Sequence, residues 1–96
     1  MSDRICLFQV ILDAYKGGPM RVLEERFLPA SQCTLDVAKV MFMKRFEDRT
    51  YLRQHRILWP DAVRFLDQSG NEVLRYTTWN YLRDITVKEG GRDRAA

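Results

Sequence analysis

Few residues in this chain carry chemistry that could be catalytic. His55 is the one histidine, and Cys6 and Cys33 are the two cysteines. Cys33 stands just before a predicted helix start, where the helix dipole lowers a thiol pKa, and His55 could act as its base. No third residue is placed to orient the imidazole, so the pair falls short of a nucleophile–base–orienter set. As a metal ligand, His55 is flanked by Arg53, Gln54 and Arg56, and cations repel a metal ion. The serines lie in no GxSxG elbow. Glu24 and Glu25 are neighbours on a predicted strand, so they point to opposite faces and cannot share a proton as a catalytic dyad does. Lys16-Gly17-Gly18-Pro19 lacks the surroundings of a phosphate-binding loop. The expectation is a protein without catalytic residues, metal or cofactor.

Charge is more informative. The formal net charge is +3. Residues 1–30 and 57–96 are each balanced, so the excess comes from 31–56. That stretch carries Lys39, Lys44, Arg45, Arg49, Arg53 and Arg56 against Asp36, Glu47 and Asp48. Most of the basic residues are arginine, whose planar fork suits carboxylates and phosphates. A localised arginine patch fits an acidic protein surface or a nucleic-acid backbone. The ordinary alternative is a solvated helix face with its own ion pairs. The candidate partner-binding residues are Lys44, Arg45, Arg49, Tyr51, Arg53, His55 and Arg56. Tyr51, Trp59, Tyr76, Trp79 and Tyr81 sit around or after this run, and arginine with tyrosine or tryptophan is the composition of interface anchors. At least one of Trp59 and Trp79 is expected in the core.

The elements that must position these residues follow from periodicity. Arg4–Tyr15 alternates as a strand, with Cys6, Phe8, Val10, Leu12 and Ala14 on one apolar face. Its other face (Ile5, Leu7, Gln9, Ile11, Asp13, Tyr15) is more apolar than solvent requires, which suggests partial cover by the chain's own ends or by another molecule. The turn at 16–19 leads to a second strand, Met20–Leu28, with Arg21, Glu24, Glu25 and Arg26 exposed. Pro29 ends it. Ser31 or Thr34 caps a helix whose stripe runs through Leu35, Ala38, Met41 or Phe42, and Arg45 or Phe46, broadened by Val37 and Val40. That helix ends near 47–50, and Tyr51–Arg56 is either a further helical turn or an ordered loop. Ala62–Asp67 and Glu72–Tyr76 form a second hairpin around Gln68-Ser69-Gly70-Asn71. Thr77 or Thr78 then opens a short closing helix with Trp79, Leu82 and Ile85 turned inward. The expected fold is α+β: an antiparallel sheet of about four strands in ββαββ order, one main helix on a face, and a short C-terminal helical turn.

Ninety-six residues suffice for one domain, here 1–88, with 89–96 as a flexible tail. The order of elements does not match the common RNA-recognition module. MSDRIC has no signal-peptide pattern and no apolar run approaches the ~20 residues of a membrane span. With two cysteines and no framework of spacings, a disulfide remains open and a reduced cytoplasmic protein is the simpler reading.

Within this layout Asp61–Trp79, DAVRFLDQSGNEVLRYTTW, resembles the closing hairpin of small basic anti-CRISPR proteins of phages. There, too, a V-R-x strand, an acid-and-glycine turn and a strand ending at aromatics follow a single helix. The resemblance implies a stoichiometric inhibitor that binds Cas subunits of an RNA-guided surveillance complex in the host cytoplasm and blocks target DNA. It implies no catalytic residues. The chain is expected to be a monomer or homodimer. The alternative is a small basic nucleic-acid-binding module using the same patch.

Overall fold

The structure is a computed structural model of the chain and describes residues 4–12 and 19–95, with side chains to Val87. Strands β1 (Ile5–Leu12), β2 (Arg21–Pro29), β3 (Ala62–Leu66) and β4 (Glu72–Thr77) form one sheet in the order β2-β1-β3-β4. Every adjacent pair is antiparallel. Between the hairpins lie a 3-10 turn (Ala30–Gln32) and helices α1 (Leu35–Glu47) and α2 (Arg49–His55); α3 (Thr78–Ala95) closes the chain. This is the expected α+β architecture. The expected turn at 16–18 and the expected placement of Asp13, Ala14 and Tyr15 lie outside the described residues.

The strand pairings sort the side chains onto two faces. Cys6, Phe8 and Val10 of β1 are paired with Leu28, Arg26 and Glu24 of β2. Phe8 and Val10 also face Phe65 and Val63 of β3, which meet Leu74 and Tyr76 of β4. Helix α1 lies on this face and buries Ala38 and Phe42 completely. Phe42 touches the rings of Phe46, Tyr76 and Tyr81, with the Tyr76 ring edge-on at 5.6 Å. Such edge contacts add to the area these rings bury. The α1 stripe is narrower than expected, since Leu35 and Val40 are exposed. Thr34, not Ser31, is the α1 cap, accepting from the Val37 amide at 3.2 Å.

The opposite face is held by a polar row that crosses all four strands. The Gln9 amide donates to Glu25 and accepts from Arg64, both at 2.9 Å. Arg64 also meets Glu72, and Arg75 forks onto the same carboxylate. Gln9 and Ile11 are buried on this face, while Ile5 is exposed, so its apolar excess is covered only in part. Phe27 remains 69% exposed.

Both outer pairings carry a bulge, one between Val10 and Ile11 against β2 and one between Phe65 and Leu66 against β4. Bulges twist an edge away from foreign strands. The β3–β4 turn closes on Asp67, whose carboxylate accepts from the Ser69 and Asn71 amides. Gly70 stands at φ 86° with open space around it, so backbone conformation alone selects glycine there.

Two expectations are corrected here. Cys6 and Cys33 are joined in a disulfide that ties the start of β1 to the turn before α1. The free-thiol reading failed because residues 27 positions apart have no sequence signature of proximity. At the C-terminal end, α3 extends to Ala95 and turns Tyr81 inward. Trp79, Leu82 and Ile85, the residues expected inside, are all exposed. Tyr81 packs its ring on Phe46 at 4.7 Å while its hydroxyl reaches Glu47; Trp79, two residues earlier, lies about 200° round the helix and so faces away.

Candidate functional site

The basic run is divided by a helix break at Asp48. This residue closes α1 and, with φ −90° and ψ 98°, is also the cap of α2. Its carboxylate accepts from the Tyr51 amide at 3.1 Å, which meets one of the unpaired donors at the new helix start. Because the chain is extended at Asp48, α2 and its cap set their own inner and outer sides. Tyr51, Leu52 and His55 are half-buried, whereas Arg49, Arg53 and Arg56 are exposed. Arg49 and Arg53 are four apart and so share one face. Arg56 ends the helix in the left-handed region at φ 57°. The Ile57 amide then bonds back to the Leu52 carbonyl, as in a Schellman closure.

The seven candidate residues therefore fall into two groups. Arg45 belongs to the interior. It donates to both Glu24 oxygens, at 3.1 and 2.7 Å, and to the Met41 carbonyl at 3.1 Å. Its guanidinium also lies 5.3 Å from the Phe8 ring centroid. Burial alone would raise the Glu24 pKa, but the hydrogen bonds and charge of Arg45 outweigh it and hold the carboxyl below its usual value. Tyr51 faces the same pair, and its hydroxyl is buried without a well-aligned hydrogen bond. Burial first, and the Glu24 carboxylate next, push that phenol upward. His55 packs its ring on Tyr51 at 4.5 Å. Arg45 and Tyr51 are thus engaged within the chain, where Glu24 of β2 meets α1 and α2. Sequence reasoning missed Glu24 as their anchor: alternation puts it on the Leu28 face of β2, but nothing local shows that Arg45, 21 positions away, reaches it.

Lys44, Arg49, Arg53 and Arg56 are the other group. All four are exposed, and none of their side chains makes an ion pair or hydrogen bond with a described residue. Arg64 and Arg75, by contrast, are held by Glu72, whose pKa their hydrogen bonds and charges lower. Beyond the Arg56 turn, Leu58 and Trp59 are exposed, with the Trp59 indole stacked on Phe46 at 6.5 Å. Trp79 is 81% exposed. Neither tryptophan is core, contrary to expectation; Tyr76 and Tyr81 hold the inner positions instead. Their hydroxyls donate to Asp84 and Glu47.

Cys33, being in the disulfide, has no thiol to offer His55. No helix among the described residues is long and apolar enough to cross a membrane.

The fold and this surface define a small α+β domain with an unpaired arginine face. No protein-family profile, curated protein or solved structure matches the chain.

Proposed function

We propose that this chain is a non-catalytic binding protein whose contact surface is the outer face of α2 together with Lys44. One observation carries the reading: Lys44, Arg49, Arg53 and Arg56 are exposed and unpaired among the described residues, while Arg45, Arg64 and Arg75 are held internally. Arginines on one face of a short capped helix offer forked donors at little ordering cost, which suits a carboxylate-rich protein surface. Exposed Leu58 and Trp59 beside them supply an apolar anchor of the kind that dominates interface energies.

The narrower reading rests on the resemblance of Asp61–Trp79 alone. Under it the partner is a Cas subunit of an RNA-guided complex, engaged in the cytoplasm of a phage host. A cytoplasmic setting favours reduced thiols, so the Cys6–Cys33 disulfide counts against that part of it. Exposed indoles beside arginines also suit stacking on single-stranded bases, which keeps a nucleic-acid module as the second reading.

The test compares the chain with Arg49→Glu/Arg53→Glu/Arg56→Glu. Purified type I and type II surveillance complexes are titrated with each protein, in parallel with a labelled 20-nucleotide single strand. Binding to a complex that the triple variant abolishes supports the protein-partner reading. Binding to the single strand alone, weakening steeply with salt, supports the second. Binding to a complex that the triple variant leaves intact removes α2 as the site.

A further inference from the structure

The apolar stripe of α3 is uncovered among the described residues. Trp79, Leu82 and Ile85 recur at helical spacing, and all three are exposed. Beyond Asp84, the described side chains Ile85, Thr86 and Val87 are exposed as well. The helix is engaged through Tyr81 on Phe42 and Phe46 and through Asp84, which accepts from Tyr76 and pairs with Lys39. Next to the stripe, α1 contributes exposed Val40 and Met43. A groove of about 380 Å³ runs between the two helices, lined by Val40, Met43 and Ile85 with Tyr76 and Tyr81.

We infer that this face, with Trp79, Leu82, Ile85, Val40 and Met43 at its centre, is a self-association surface whose occupant is a second copy of the chain. Three features point to a copy. The same surface presents a helical ridge (Trp79, Leu82) and an inter-helix groove (Val40, Met43, Ile85), and a two-fold axis lets each ridge enter the other groove. Lys39 and Asp84 pair at 3.5 Å, which leaves exposed Arg83 beside Trp79 and Leu82 for the rim, so two copies of a net +3 chain meet less repulsion here than the arginines of α2 impose. The five side chains expose on the order of 500 Å², which with a polar rim approaches the ~800 Å² that each partner buries in a stable interface. Period-three apolar spacing also suits a helix lying against a helix.

The experiment is sedimentation velocity on the full chain from about 1 to 200 μM, with Leu82→Glu and Trp79→Ser alongside. The expected result is a concentration-dependent shift from 11.4 kDa to twice that mass, with dimerisation weakened about tenfold or more in each variant, as for central interface residues. Circular dichroism checks the fold. If Leu82→Glu is unfolded, Trp79→Ser still decides the matter, since a side chain this exposed has little packing to lose. A wild-type chain that stays monomeric at 200 μM overturns the inference, as does a dimer that both variants leave unchanged. A monomer that co-sediments with anionic phospholipid vesicles through this stripe also overturns it, in favour of an interfacial helix.

Discussion

The guanidinium of Arg45 and the carboxylate of Glu24 meet beneath α1 with 13% and 21% of their side chains exposed. At that depth, removing one partner strands the other. Arg45→Met should lower stability by about 2 kcal/mol, less than for a fully buried pair, as read from urea unfolding. The acid dependence should weaken as well. In the native chain the Glu24 pKa lies below its ordinary 4.5. Its contribution to stability is therefore full above that ordinary value and is lost as pH falls through the folded one. Without Arg45, only Tyr51 and Arg26 are left to offset burial, so the stability that Glu24 loses on protonation should shrink. Unfolding midpoints between pH 6 and 3 in the two proteins, with Glu24→Gln as the reference, read this directly. A variant with the same acid slope as the parent would show that the pair contributes nothing.

At the scale of elements, the disulfide is the strongest single constraint among the described residues. It links β1 to the turn before α1 across 27 positions, spanning the first hairpin. Closing a loop of that size removes unfolded-state entropy worth about 3–4 kcal/mol. Cys33→Ser should cost roughly that much, or the same loss should follow from adding reductant to the native chain. Thermal melts with and without dithiothreitol check it. An unchanged melt under reductant would mean that the thiols, once free, pack as well as the bond does. The break at Asp48 acts differently: it adds little stability, but it aims α2 so that its arginines leave the core while Tyr51 and His55 stay against it.

For the whole molecule, the two proposed surfaces differ in physical type and should separate by salt. The α2 face works through charge, and interactions between exposed charges are screened within about 10 Å at 0.1 M salt. The α3–α1 face works through apolar burial, which salt leaves intact or strengthens. Raising sodium chloride from 0.05 to 0.5 M should weaken partner capture severalfold and leave the monomer–dimer midpoint in place. A dimer that dissociates in step with partner release would mean that one charged surface does both.

The sequence by itself determined the elements and their class. Alternation in β1, β3 and β4, the proline after β2, Thr34 ahead of an apolar stripe and the glycine turn at 70 are all local signals, and local signals carry propensity and periodicity. It also located the basic run. Only the tertiary structure decided which of those residues are free. Arg45 and Tyr51 differ from Arg49 and Arg53 because the sheet pairing sets Glu24 of a distant strand beneath α1, and because Asp48 interrupts the helix before α2. The same holds for Cys6 with Cys33, and for Tyr81 in place of Trp79. Such outcomes depend on which distant residue comes within a few ångströms, a quantity that no single-chain pattern encodes.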